Sequence, residues 1–173
     1  IKGGADSDTF DFQGAVANSS IYGGKAGDSI SFDRTITGGL VSGDTGNDTI
    51  LVTGKIDGGA VIDGGADDDL ITLNERITSS TVLGGAAQDT LVVTDNSESA
   101  VFKLGTDDDS LNITGKHGSL KAKGNAGDDT FTILSGLSGT GNAFYGGKGE
   151  DAVTLSSTAK VDIYGDKDDD TLT

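Results

Sequence analysis

Nine aspartates recur along the chain at a nearly constant interval: Asp8, Asp28, Asp48, Asp69, Asp89, Asp109, Asp129, Asp151 and Asp170. Successive spacings are 20, 20, 21, 20, 20, 20, 22 and 19 residues. Each closes a six-residue loop, and eight of the nine loops open with Gly, as in GGADSD, GDTGND and GNAGDD. The chemistry open to such loops is narrow. There is no Cys and only one His, His117, so neither a thiolate site nor a His-rich transition-metal site can be built. Carboxylates and backbone carbonyls remain, and these oxygen donors suit hard cations. Calcium fits a flexible oxygen cage better than magnesium, which demands a strict octahedron and keeps its waters.

Charge is concentrated in the same loops. They hold 20 of the 28 acidic residues and three of the 12 basic ones (Lys25, Lys148, Lys167), a charge of −17 against +1 for the rest of the chain. A fixed period of this length marks a solenoid, in which each repeat is one coil stacked on the last. Stacked strands lie about 4.8 Å apart. Two unit charges at that distance repel by roughly 0.9 kcal/mol at the dielectric of water, and by more near protein. Eight such neighbouring pairs rival the whole stability of a domain, about 5–15 kcal/mol. An acidic column of this kind therefore calls for a cation. The same balance argues against nucleic acid and anionic membrane surfaces, and no long apolar run indicates membrane insertion.

The elements that position the loops follow from alternation. Apolar residues stand two and four after each Asp, as in Phe10 and Phe12, Ile50 and Val52, Leu111 and Ile113. This period of two predicts a strand with one buried face. A second apolar column precedes the loops (Ile21, Val41, Ile62, Val82, Phe102, Ala122, Phe144), and a weaker third lies eight after the Asp (Val16, Ile36, Ile56, Ile77, Leu137). The expected coil is two short strands joined by two turns, and only stacking gives it a continuous core. All six Phe residues fall in the first two columns and read as core. The predicted fold is an all-β parallel β-helix or β-roll of about nine coils, spanning residues 1–173 as a single solenoid domain. Uncapped ends at Ile1 and Thr173 suggest a segment of a longer secreted protein.

The loops Gly43–Asp48, Gly124–Asp129 and Gly146–Asp151, each followed by x-U-x with U apolar, resemble the RTX nonapeptide GGxGxDxUx. That resemblance implies a β-roll with calcium held between stacked turns by loop carbonyls and the terminal Asp, usually in proteins working outside the cell. The nine repeating Asp residues are the expected metal ligands. Departures exist. The loop comes once per coil instead of twice, and the second glycine position is Asp6, Asp67, Asp107 and Asp168 in four loops, each a further candidate ligand. In two loops that position is Ala (Ala26, Ala87), where a left-handed backbone is costly, and Leu104 replaces the opening Gly of the sixth loop. Sites touching those loops are expected to be weaker.

Other features point less sharply. His117, within Gly115-Lys116-His117-Gly118, reads as a turn residue. Tyr22, Tyr145 and Tyr164 share an outward column with Lys2, Lys103 and Lys123, and Thr9, Ser29, Thr49, Thr90, Ser110, Thr130 and Thr171 form an outward hydroxyl ladder broken by Leu70 and Ala152. An ice- or carbohydrate-binding face is the alternative these columns keep open; a non-catalytic calcium module of a secreted enzyme is another. With two arginines and no nucleophile–base pair in evidence, catalysis is not expected. The resulting expectation is a calcium-stabilised structural module, extracellular or at the cell surface (surface-layer, adhesin-like or matrix). Its partners would be calcium ions, together with copies of the same surface protein or a cell-surface polysaccharide.

Overall fold

In the computed structural model, which describes residues 1–134, 136–156 and 160–173, the chain winds as a parallel β-solenoid. Among the described residues two sheets have nine strands each and a third has seven, all pairings being parallel. Strands of the first sheet run from Lys2–Gly4 to Asp162–Lys167 and precede the loop Asp. Those of the second run from Thr9–Phe12 to Thr171–Leu172 and follow it. Register is strict: Ile62 pairs with Val82, Val82 with Phe102, Ile71 with Leu91 and Leu91 with Leu111.

The expectation of two strands per coil is corrected by the third sheet, whose two-residue strands run from Val16–Ala17 to Leu137–Ser138. Each contributes a single inward residue per coil, so no alternation shows in the sequence. That is why its column looked weak. The coil is triangular in connection, with three sheets around one core. The corner between the third and first sheets is filled by Ala60, Ser80, Ala100, Leu120 and Asn142, all buried. Turns here put Ser79, Ser99 and Ser119 at φ of 49–55°, a left-handed conformation disfavoured for a residue with a Cβ.

The core is the stacked columns. Ile30, Ile50, Ile71, Leu91, Leu111 and Phe131 are all 0% exposed. Phe12 and Phe32 stack at 4.8 Å, and Phe131 meets Phe144 edge to face at 6.0 Å. Phe10 and Phe12 pack against the core from the first coil, so all six Phe residues do serve as core.

Because each inward side chain touches the coils above and below, a truncation opens a hole the solenoid cannot close locally. Leu91→Ala is expected to cost about 2–5 kcal/mol, whereas Leu70→Ala, at an exposed position of the same sheet, should stay within about 0.5 kcal/mol. Urea denaturation of the two variants checks the contrast.

Candidate metal centre

The corner between the first and second sheets is made by the Gly/Asp loops. From the second loop onward its chain turns through a left-handed residue, and Asp67, Asp107 and Asp168 take φ of 76° there. Ala26 (67°) and Ala87 (78°) do so as well, despite a cost of about 1–2 kcal/mol each. Past that residue the chain directs the next-but-one side chain inward. This is the recurring Asp.

Seven of the nine recurring aspartates, Asp28, Asp48, Asp69, Asp89, Asp109, Asp129 and Asp151, are only 1–4% exposed. Asp8 is half-buried and Asp170, in the last coil, is exposed. From Asp28 onward, one carboxylate oxygen of each is accounted for. Oδ1 accepts the backbone N–H of the Asp one coil earlier, from Asp8 N–H to Asp28 Oδ1 at 2.6 Å through Asp151 N–H to Asp170 Oδ1 at 3.0 Å. The intervening bonds, such as Asp48 N–H to Asp69 Oδ1 at 2.8 Å and Asp89 N–H to Asp109 Oδ1 at 2.7 Å, make a continuous ladder. The other oxygen has no partner among the described residues: Oδ2 of all seven buried aspartates lacks a hydrogen bond there. A buried acceptor left unsatisfied costs about 1–3 kcal/mol, and more when charged.

The opening Gly of each loop explains where Oδ2 points. Like the Asp, it faces inward. A Cβ added to Gly43 would collide with Asp48 Oδ2 and with the carbonyl oxygen of Gly64 in the next coil; one on Gly64 would collide with Asp69 Oδ2 and the Gly84 carbonyl. The same pair recurs at Gly3, Gly23, Gly84, Gly124 and Gly146. Glycine thus leaves room at which a carboxylate oxygen and a carbonyl oxygen of the following coil converge. Two acceptors facing one space repel unless a proton or a cation lies between them.

Burial presses these groups toward neutrality. It raises Asp69 to about 8, Asp109 and Asp129 to about 7, and Asp48 and Asp89 to about 6, against an ordinary 3.8. The ladder hydrogen bond opposes the shift, and the neighbouring carboxylates add to it. Asp151 is raised by the same causes.

The four additional candidates stand elsewhere. Asp6, Asp67, Asp107 and Asp168 are exposed on the outer side of the corner, apart from the inward row. Asp67 Oδ2 accepts the Gly46 N–H at 3.1 Å and Asp168 Oδ2 the Gly149 N–H at 3.3 Å, so these two serve as inter-coil turn braces. A second outer ladder was not foreseen: Asp68 Oδ1 accepts from Gln88 N–H (3.1 Å), Asp108 Oδ1 from Asp128 N–H (2.9 Å), and Asp128 Oδ1 from Glu150 N–H (2.8 Å). It runs opposite in sense to the inner one. Among the described residues no three His, Cys, Asp or Glu side chains converge on one point. A cation at this corner would be held by carboxylate and backbone carbonyl oxygens together. The chemistry of that donor set fits calcium, which takes oxygen ligands of both kinds.

His117 corrects an expectation. It is no turn residue but lies in the strand His117–Gly118, 0% exposed in the inward column of the third sheet. Its Nδ1 is 2.7 Å from Ser97 Oγ and its Nε2 is 3.2 Å from the Thr114 carbonyl, so the neutral ring accepts from Ser97 and donates to Thr114. Burial lowers its pKa. Outside, Lys2 Nζ lies 5.0 Å from the Tyr22 ring centre and Lys123 Nζ 5.4 Å from that of Tyr145, while Tyr145 and Tyr164 stack at 4.9 Å.

Compared with family models, curated proteins and solved structures, the chain matches none of them. The fold and site define an all-β solenoid with a stacked aspartate in each repeat, buried in seven of the nine.

The pH response of metal-stripped protein follows from the raised groups. The folded state holds protons that the unfolded chain gives up above about pH 4, so ∂ΔG/∂pH is negative between that point and the folded values of about 6–8. Their stability contribution is complete at low pH and lost as pH rises. His117 acts oppositely, losing stability below its ordinary 6.5, but it is a single group. The thermal midpoint without metal is therefore expected to be higher at pH 5 than at pH 8, as read by a circular dichroism melt at each pH.

Proposed function

We propose that the chain is a calcium-stabilised structural module, an RTX-like solenoid in which calcium sits along one inner corner between successive coils. The observation that carries this reading is the row of buried, unpartnered Asp Oδ2 atoms, each but that of Asp109 facing the next coil's carbonyl at a space that glycine leaves open. A divalent cation there is attracted to the carboxylates above and below, and it converts the repulsion of a buried charge row into an inter-coil bridge. The charge of −17 confined to the loops supports the same assignment. No catalytic role is proposed: among the described residues the Ser–His side-chain pair, Ser97 and His117, is sealed in the core with both residues at most 3% exposed.

Calcium then acts as a folding ligand. A ligand that binds only the folded form adds RT ln(1 + [L]/Kd) per site, and several sites compound. Extracellular modules bind calcium at about 10⁻⁴–10⁻³ M, so a module of this kind stiffens on leaving the cell. On this reading it belongs to a secreted or cell-surface protein. Isothermal titration of metal-stripped protein in low salt should register several ions per chain, with a gain of β signal in far-UV circular dichroism. A single ion or none, with a full β spectrum and an unchanged melt in chelator, would count against it.

A second reading is favoured by the raised pKa values: a neutral ladder in which each Oδ2 carries a proton and donates it to the next coil's carbonyl. Asp48→Asn and Asp129→Asn separate the two. An Asn amide keeps the Oδ1 bond and supplies an N–H toward the carbonyl, but it removes the charge. The calcium reading expects each variant to lower the thermal midpoint in calcium and leave it unchanged or raised in chelator. The proton reading expects no dependence on calcium at all.

A further inference from the structure

We infer that Leu104 closes one position of the metal row and so divides it in two. The inference rests on the calcium reading and deepens it by fixing where ions sit. Leu104 is the residue of the sixth loop that stands in register with Gly84 before it and Gly124 after it, since Lys103 pairs with Leu83 and Lys123, and Gly105 with Gly85 and Asn125. At those two glycines, an added Cβ would meet the Asp Oδ2 of its own coil and the carbonyl of the next. Leu104 carries a whole side chain at this place. It is 0% exposed and belongs to the apolar core.

The consequence is specific to one space. The position ahead of the plug uses Asp89 Oδ2 and the backbone carbonyl of Leu104, an oxygen that the substitution leaves in place; both atoms converge at Gly84. The position behind it, between Asp109 and the carbonyl of Gly124, is the one that the leucine side chain fills. Asp109 still holds its ladder bond to Asp89 N–H at 2.7 Å and still has a buried Oδ2 without a partner. It is a rung of the ladder without room for an ion. Gly3, Gly23, Gly43, Gly64, Gly84, Gly124 and Gly146 leave seven inter-coil spaces open, five before the plug and two after it.

Native mass spectrometry of calcium-saturated protein, which counts ions on the folded species only, tests this. The wild type should carry seven ions in the row, and Leu104→Gly eight. Leu104→Ala retains a Cβ in the space and should stay at seven while reporting the effect of the lost core contacts. Should Leu104→Gly fail to fold, Gly64→Leu is read instead; the scaffold already accepts leucine at this phase, and the count should drop to six. Eight ions in the wild type, or the same count in wild type and Leu104→Gly, would overturn the inference while leaving the calcium reading intact. No bound calcium in any variant would remove the reading itself, and the inference with it.

Discussion

Burying the same carboxylate at the same phase of every coil is the constraint on which the rest of this molecule turns. A parallel solenoid stacks like on like, so an inward Asp becomes a row of inward Asp residues a strand spacing apart. The backbone satisfies half of each group, through the N–H of the preceding coil. It leaves the other half without a partner, at a space that a carbonyl oxygen of the following coil also faces. Strand register, the glycine at the loop entrance and the left-handed turn all serve to place that second oxygen. None of them neutralises it.

This arrangement separates stability from function along the coil. Three sheets around a column of Ile, Leu, Val and Phe supply an apolar core that is the same on every level. The acidic corner contributes conditional stability, set by what neutralises it. A proton does so at low pH; on the proposed calcium reading a divalent cation does so at high pH, in competition for the same oxygens. The outer ladder of Asp68, Asp108 and Asp128 makes no such demand, since its members are exposed to solvent.

The period of the chain made the solenoid and the aspartate column legible, because stacking converts sequence phase directly into spatial register. Left-handed turns at Asp67, Asp107, Asp168, Ala26 and Ala87 could be anticipated from the residues standing at a glycine position. What lay beyond reach were features with too few residues to show a pattern. Two-residue strands such as Ile77–Thr78 carry no alternation, and the corner of Ala60, Ser80, Ala100, Leu120 and Asn142 mixes polar with apolar. His117 was misread because Gly115 and Gly118 suggest a turn, although its phase already put it in an inward column with Ser97 as its partner. The role of the opening glycine as the maker of room for Oδ2 emerges only when the next coil is in place.

A crystal structure of calcium-loaded protein with anomalous data would test the account most directly. It predicts a row of calcium peaks along the inner corner, each in contact with one Asp Oδ2 and the carbonyl oxygen of the following coil. A corner without anomalous signal, in which each Oδ2 lies at hydrogen-bond distance from that carbonyl, would contradict it.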